Sequence, residues 1–243
     1  MNTVAIIQAR IGSTRLPGKV LENIGGETML SRVIKRTQRA TRLDKIVIAT
    51  TIRPDDDVIV TECVHLNTPV FRGDEQDVLD RYYKAAMQHQ ADVVVRITSD
   101  CPLIEPEVID KAVKVFESQH PTVDYVANTL PPRTFPRGLD VEVMSCEALA
   151  RAWNEDKNPA WREHVTPYIY RNPKQFNLYA LTNNVDYSAL RWTVDTPEDL
   201  ELIRRIYNHF KQDNFNWRDV LNLLEQHPDW LEINSAIKQK QVD

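Results

Sequence analysis

The residues with the most distinctive chemistry lie near the N-terminus, in residues 6–21, which read IIQARIGSTRLPGKVL. A short apolar strand leads there into a loop in which three cations, Arg10, Arg15 and Lys19, lie among glycine and hydroxyl residues. Glycine lets backbone N–H groups approach a ligand, hydroxyls donate hydrogen bonds, and the cations neutralise negative charge. The loop is therefore predicted to bind a polyphosphate. The alternative is a surface turn whose basic residues are solvated.

The spacing of this loop differs from that of the common P-loop. A P-loop needs a glycine, four residues, and then Gly-Lys followed by Ser or Thr. Here five residues separate Gly12 from Gly18, and Val20 follows Lys19. Pro17 restricts the backbone just before Gly18, so the loop is predicted to hold its shape without a ligand.

Two aspartates follow predicted strands and are candidate metal ligands. Asp100 comes after residues 92–98, and Asp195 comes directly after residues 190–194. Mg²⁺ is typically held by one or two carboxylates together with phosphate oxygens and water. The alternatives are a turn hydrogen bond for Asp100 and capping of the following helix for Asp195. Beside a phosphate-binding loop, the pair favours the magnesium site.

The elements that must position these residues alternate between strands and helices in the first half of the chain. Apolar runs predict strands at 4–7, 45–50, 69–71 and 92–98, and helical periodicity fills the intervals between them. In the second helix, the predicted inner face includes Val58 and Ile59, and Asp55 and Asp56 are predicted to cap its start. In the third, adjacent pairs of residues recur every four residues: Val78, Leu79, Tyr82, Tyr83, Ala86 and Met87.

This alternation predicts an α/β fold, a single domain with a mostly parallel sheet covered by helices on both faces. Ligands bind such sheets beyond the carboxyl ends of the strands. The N-terminal loop, Arg72–Gly73 and Ser99–Asp100 each follow a strand, so we expect them to meet at one edge. The six glycines are interpreted as marking loops of this site, where the backbone approaches a ligand.

The second half is less regular. Strands are predicted at 124–128, 139–143, 176–181 and 190–194, helices at 146–155, 159–170, 196–210 and 217–225, and an extended loop at 131–136. Alternation in residues 139–143 places Asp140 and Glu142 on an exposed face, as solvated residues or as ligands. Thr196, followed by proline and two acids, predicts a helix start. The tail from Lys238 is predicted to fray.

Composition limits the class of protein. The chain has 243 residues, 42% of them hydrophobic, and a net charge of −5, which describes a soluble protein and argues against a general nucleic-acid binder. Neither a signal peptide nor a membrane-spanning run is evident, so we expect a cytoplasmic protein without membrane insertion. The three cysteines, Cys63, Cys101 and Cys146, are widely spaced and indicate neither disulfides nor a structural zinc site.

The segment from Arg10 to Lys19 closely resembles the signature loop of the sugar cytidylyltransferases, the group of the 3-deoxy-manno-octulosonate and acylneuraminate enzymes. It is more similar still to their relatives in spore-coat polysaccharide biosynthesis. That similarity runs from about residue 4 to residue 207 and includes the segments FRGDEQDVLDRYYKAA, DVVVRITSDCPLIEPEVID, PRGLDVEVMS, REHVTPYIYRNP and RWTVDTPEDLELI.

The resemblance implies a Rossmann-like sheet of the nucleotide-diphospho-sugar transferase type. Within the single domain of residues 1–243, it implies a nucleotide-binding part in 1–120, a part for acceptor binding and dimerisation in 121–195, and C-terminal helices in 196–243. The implied activity is transfer of CMP from CTP to a sugar or acidic sugar in cell-surface polysaccharide biosynthesis, with release of pyrophosphate. The implied cofactor is Mg²⁺, and the implied assembly is a homodimer.

The resemblance also implies roles for individual residues. Arg10, Arg15 and Lys19 would meet the phosphates, and Asp100 and Asp195 would hold Mg²⁺. The remaining residues fall into two groups. The implied nucleotide-binding residues are Gln8, Ala9, Gly12, Ser13, Arg72 and Asp77. The residues implied to lie near the sugar or the partner subunit are Arg137, Asp140, Glu142, Arg162, Glu163, His164 and Tyr168.

Three other functions stay open at this point. A glycosyltransferase of similar architecture would hold its metal with a DxD-type motif, and Ser99-Asp100-Cys101 lacks the second acid. A non-catalytic nucleotide-binding or scaffold protein would not need Lys19 to converge with the two aspartates. Transfer of CMP to a phosphate or phosphonate is the third.

Overall fold

The protein is built around a seven-stranded sheet in the computed structural model, which describes residues 1–239. The strands are β1 Thr3–Gln8, β2 Asn23–Ile24, β3 Glu27–Thr28, β4 Lys45–Thr51, β5 Val70–Gly73, β6 Val93–Thr98, β7 Tyr125–Ala127, β8 Glu142–Ser145 and β9 Leu178–Ala180. Strands follow the order β5-β4-β1-β6-β8-β7-β9 across the main sheet, and β2 pairs with β3 separately. β5, β4, β1 and β6 are parallel, β8 is antiparallel to both of its neighbours, and β9 is parallel to β7. The predicted mostly parallel sheet is confirmed.

Helices cover both faces of the sheet. They are α1 Met29–Thr37, α2 Asp57–His65, α3 Val78–Gln88, α4 Pro106–Gln119, α5 Cys146–Glu155, α6 Pro159–His164, α7 Pro167–Tyr170, α8 Pro197–Phe210, α9 Trp217–Gln226 and α10 Pro228–Glu232, with single 3₁₀ turns at Lys19–Leu21 and Pro54–Asp56. Successive residues of β1 enter two different cores, Ala5 and Ile7 on one face and Val4 and Ile6 on the other. No helix within residues 1–239 is long and apolar enough to cross a membrane.

Helix starts largely follow the sequence signals. The Thr196 hydroxyl accepts a hydrogen bond from the Asp199 N–H, and the Asp199 carboxylate accepts one from the Thr196 N–H, so a capping box begins α8 as predicted. The predicted inner face of α2 was wrong at Val58, which is 48% exposed, because Ile59 occupies the inward position.

The helix predicted at 159–170 is two helices, α6 and α7, separated by Val165. Val165 has φ 69° and ψ −54°, and the Thr166 N–H donates to the His164 carbonyl at 2.8 Å. This is a γ-turn, a strained conformation for a β-branched residue. Pro167 explains the break, since proline has no N–H and cannot continue the hydrogen-bond ladder of a helix.

The prediction for residues 139–143 was also wrong. β8 starts only at Glu142, because the Asn128 side chain binds both the Leu139 carbonyl and the Val141 N–H in place of a strand partner. Glu142 is buried rather than exposed, at 6%. Residues 190–194 make a single bridge, Arg137 to Arg191, instead of a strand.

Two glycines interpreted as part of the site have another role. Gly25 and Gly26, with φ 59° and 91°, form the turn of the hairpin that joins β2 and β3, which was not predicted. Gly138 does need glycine at its position: its φ is 104°, and an added Cβ would lie 2.6 Å from the Trp192 carbonyl carbon.

Candidate active site

Lys19 lies between two aspartates at the carboxyl edge of the sheet. Its Nζ is 3.0 Å from Asp100 Oδ2 and 2.8 Å from Asp195 Oδ1, and it also donates to the Val194 carbonyl at 2.8 Å. Gly18, with φ 71°, starts the 3₁₀ turn that carries Lys19. The three residues that the sequence predicted to act together therefore meet around one ammonium group.

Attraction between opposite charges stabilises the buried cluster of Lys19, Asp100 and Asp195. Burial by itself would lower the pKa of Lys19, but Asp100 and Asp195 outweigh it through attraction and hydrogen bonds, so the pKa of Lys19 is raised. Burial would raise the pKa of Asp100, but Lys19 and the Thr98 hydroxyl, which donates at 2.6 Å, lower it. Both groups are therefore charged at neutral pH.

Asp195 has two further cationic partners. Its Oδ2 lies 2.9 Å from a terminal nitrogen of Arg15 and 2.9 Å from one of Arg191. Arg191 also forms a bidentate pair with Asp199, at 2.8 and 2.9 Å. Sequence reasoning placed Arg191 only in a strand. A cation four residues before an aspartate in an irregular segment carried no signal of this pairing.

Asp56 holds in place the loop that is predicted to bind phosphate. The Asp56 carboxylate accepts the Ile11 N–H at 2.7 Å and also bonds the Thr51 hydroxyl. Its side chain makes no capping hydrogen bond at α2, so the predicted cap was wrong. Within the loop, the Gly18 N–H donates to the Ile11 carbonyl at 3.1 Å and closes the turn. These hydrogen bonds hold the loop in its conformation, which agrees with the rigid loop that Pro17 predicted.

A cavity of about 580 Å³ opens over this cluster, and most of the predicted site residues line it. Thirteen of them do so: Gln8, Ala9, Arg10, Gly12, Ser13, Arg15, Lys19, Asp100, Arg137, Asp140, Glu142, His164 and Asp195. Glu163 lines it as well. The nucleotide loop and the predicted acceptor part therefore face one cavity.

Four predicted site residues are not among those that line the cavity: Arg72, Asp77, Arg162 and Tyr168. Arg72 donates to the Thr51 and Arg53 carbonyls. Asp77 caps α3 and pairs with Arg162 at 2.8 Å, which ties the loop before α3 to α6. The Tyr168 hydroxyl donates to Glu155 at 2.7 Å. Each of these side chains therefore has a structural partner.

Arg96, which was not predicted, is at the centre of a polar network in the cavity wall. It pairs with Glu142 and donates to Gln8 Oε1 at 3.2 Å. The Tyr125 hydroxyl donates to the other Glu142 oxygen at 2.8 Å. The signal was present in the sequence, because an arginine interrupts the apolar strand VVVRIT. Other lining residues that were missed include Arg81, Thr98, Arg133, Thr166, Tyr170 and Gln239.

The described residues lining the cavity include seven lysines and arginines and five aspartates and glutamates, an excess of two positive charges (7 − 5). Arg133 is paired with Asp140, whereas Arg137 makes no ion pair within residues 1–239. Burial and the neighbouring Arg133 lower the pKa of Arg137. An unpaired, half-buried guanidinium favours an anionic ligand, so the cavity is suited to phosphate and carboxylate groups.

The two aspartates fit a divalent cation that is completed by substrate oxygens. Asp100 and Asp195 already converge on one cation, the Lys19 ammonium. Within residues 1–239 no group of three or more His, Cys, Asp or Glu could hold a metal alone. Two carboxylates plus nucleotide phosphates are the usual ligands of Mg²⁺, so the residues present suit this ion.

Comparison with known proteins gives consistent matches. The family model described as cytidylyltransferase matches residues 4–227. An uncharacterized protein of Methanocaldococcus jannaschii is 40% identical over 99% of this chain and 97% of its own. The spore coat polysaccharide biosynthesis protein SpsF of Bacillus subtilis is 32% identical, over 92% and 94% of the two chains. The structure of a cytidylyltransferase from Leptospira borgpetersenii, 31% identical, superimposes with a TM-score of 0.92 over 99% of this chain and 100% of that one.

Proposed function

This chain belongs to the cytidylyltransferase family, and we propose that it transfers CMP from CTP to a sugar or acidic-sugar acceptor with release of pyrophosphate. The acceptor oxygen would form a bond to the α-phosphorus, the bond from that phosphorus to pyrophosphate would break, and the hydroxyl proton would leave to solvent. Similarity to SpsF supports a role in cell-surface polysaccharide biosynthesis.

The observation that carries the proposal is the convergence of Lys19, Asp100 and Asp195 beside Arg15. Phosphoryl transfer is catalysed mainly by positioning and by electrostatic stabilisation of the phosphate oxygens. Arg10 and Arg15 are 36% and 39% exposed, so each can exchange its carboxylate partner for a phosphate oxygen. Lys19, 11% exposed, is fixed between the two aspartates, where it can meet a phosphate oxygen of a nucleotide bound in the cavity.

We propose Mg²⁺ as the cofactor, held by Asp100 and Asp195. When bound there, the ion would neutralise negative charge on the phosphate oxygens. Asp100 would contribute through its Oδ2, while its Oδ1 keeps the hydrogen bond from Thr98. Asp195 would keep its orientation through Arg191.

The acceptor would occupy the side of the cavity formed by residues 121–195. Arg137 is the unpaired cation there and would bind an acidic group of the acceptor, while Asp140 and Glu142 are neutralised by Arg133 and Arg96. No covalent step on the protein is needed. Burial raises the pKa of the Cys101 thiol well above its ordinary value, which argues against a nucleophilic role for it.

Family similarity also supports a cytoplasmic homodimer, with residues 1–120 as the nucleotide-binding part and residues 121–195 as the part that binds acceptor and partner subunit. Light scattering after size-exclusion chromatography measures the assembly directly. The family match favours cytidylyl transfer over glycosyl transfer. The experiment below also tests whether the acceptor group is a phosphate or phosphonate.

The test is calorimetric binding of CTP, ATP, UTP, GTP and a UDP-sugar, each with Mg²⁺ and again with chelator. The proposal expects Mg²⁺-dependent preference for CTP, and preference for the UDP-sugar would overturn it. Pyrophosphate release is then measured with 3-deoxy-manno-octulosonate, N-acetylneuraminate and sugar phosphates as acceptors. Asp100→Asn should abolish turnover, whereas Asp55→Asn, at a side chain that is 67% exposed, should not.

A further inference from the structure

The C-terminal segment after α10 reaches the catalytic cavity. Asn234 is buried, at 6% exposed, and its side-chain amide donates to the Arg191 carbonyl and to Asp199 Oδ1, both at 2.9 Å. Five residues later, Gln239 lines the cavity and accepts a hydrogen bond from Arg191 Nη1 at 2.5 Å. The segment therefore contacts both the backbone and the guanidinium of Arg191.

Arg191 links this segment to Asp195. Its side chain is 7% exposed, and its guanidinium is shared among Asp199, Asp195 and Gln239. An arginine held by several partners at once has little freedom to leave any of them. Arg15, the other arginine on Asp195, is 39% exposed. Arg191 is thus the fixed partner of Asp195 and Arg15 the exchangeable one.

The orientation of the Gln239 amide follows from its partner. A guanidinium only donates hydrogen bonds, so the amide oxygen of Gln239 must face Arg191 and the NH₂ group must point away from it. That NH₂ group donates to no acceptor within residues 1–239. Gln239 thus brings two free N–H donors to the rim of a cavity whose loop already carries Arg15 and Lys19.

We propose that the segment from Asn234 to Gln239 is part of the nucleotide site and that Gln239 donates hydrogen bonds to a β- or γ-phosphate oxygen. This assignment rests on the proposed binding of CTP. Asn234 is a positioning residue: it anchors the segment and keeps Arg191 against Asp195. The pairing of Gln239 with Arg191 also differs from the frayed tail expected from Lys238; residues 240–243 lie outside the described residues.

The test compares binding of CTP and of CMP, each with Mg²⁺, by calorimetry. Gln239→Ala should weaken CTP binding about tenfold, the usual worth of a hydrogen bond to a charged group. Gln239→Glu can still pair with Arg191 but places a carboxylate beside the polyphosphate, so it should weaken CTP binding further. CMP lacks the outer phosphates, and its affinity should change less than twofold. The matched control is Gln175→Glu, because Gln175 accepts from Arg151 at 2.8 Å on the surface.

A double variant tests the anchoring role of Asn234. If Asn234 acts by holding the segment in place, Asn234→Ala combined with Gln239→Ala should bind CTP no more weakly than Asn234→Ala alone. Additive losses would overturn the anchoring role. Wild-type affinity for CTP in Gln239→Glu, or equal losses for CTP and CMP, would overturn the phosphate contact. Failure of the wild-type protein to bind CTP would instead refute the proposed function.

Discussion

Replacing Lys19 by methionine is expected to destabilise the protein by leaving a buried carboxylate without its cation. Lys19 is 11% exposed, and Asp100, at 25%, has no other cationic partner within residues 1–239. Breaking a buried ion pair by removing one partner costs about 3–5 kcal/mol. Asp195 keeps its ion pairs with Arg15 and Arg191, and Asp100 is partly exposed. We therefore expect Lys19→Met to lower the free energy of unfolding by about 2–4 kcal/mol.

Thermal unfolding followed by circular dichroism measures the effect. For a chain of this length, the expected loss corresponds to a fall in Tm of roughly 6–12 °C. Asp100→Asn in the same chain should restore at least half of it, because the uncompensated charge is then absent. Without nucleotide, Mg²⁺ at ten times its Kd should stabilise Lys19→Met by about 1.4 kcal/mol, since the ion replaces the ammonium between the carboxylates.

The control is Lys84→Met. Lys84 pairs with Asp80 at 2.8 Å, the same distance as Lys19 to Asp195, but its side chain is 56% exposed and the pair lies along one helix. Exposed pairs contribute little to stability, so Tm should hardly change. A Tm for Lys19→Met equal to that of Lys84→Met, or the absence of rescue by Asp100→Asn, would refute the assignment of Lys19 as the counter-ion of Asp100.

Three further predictions concern stability. Burial would raise the pKa of Asp100, but Lys19 and the Thr98 hydroxyl lower it from its ordinary value, so this carboxylate stabilises the folded state above about pH 4; in a Tm series from pH 6 to 3, the advantage of wild type over Asp100→Asn should stay constant down to about pH 4 and shrink below it. Gly138→Ala should cost roughly 3 kcal/mol in urea unfolding, since its φ of 104° and the contact with Trp192 both oppose a side chain; a loss below 1 kcal/mol would contradict that. Tyr125→Phe leaves one Glu142 oxygen without its donor and should cost about 1–3 kcal/mol by the same assay, whereas an unchanged midpoint would show that water replaces the hydroxyl.

The first half of the fold could be predicted because its information is local. Apolar runs of strand length alternate with helical periodicity up to β6, and a parallel sheet follows from that alternation. The same rule brings the ends of β1 and β6 to one edge, so the meeting of Lys19 with Asp100 could be expected before any coordinates. Asp195 was predicted to lie beside them from the family resemblance and from its position directly after the predicted strand at 190–194.

The second half was harder because its conformation depends on contacts between distant segments. Asn128 replaces a strand partner for residues 139–141, so the alternating pattern there does not form a strand. Glu142 is buried because Arg96 and Tyr125, from two other strands, satisfy its charge. The break at Val165 is different in kind. Pro167 was a local signal of it, and helical periodicity concealed that signal.

Exposure separates the cations of the site into two groups with different tasks. Lys19 and Arg191, at 11% and 7%, are enclosed by protein partners, so binding of an anion cannot move them far. Arg10 and Arg15, at 36% and 39%, are more exposed and pair with the carboxylates of Glu163 and Asp195. If the proposed CTP binds, its polyphosphate would compete with those carboxylates for Arg10 and Arg15, and the release of Asp195 by Arg15 would free an oxygen for a metal ion. Nucleotide and metal should therefore each strengthen the binding of the other, with Arg15 as the link between them.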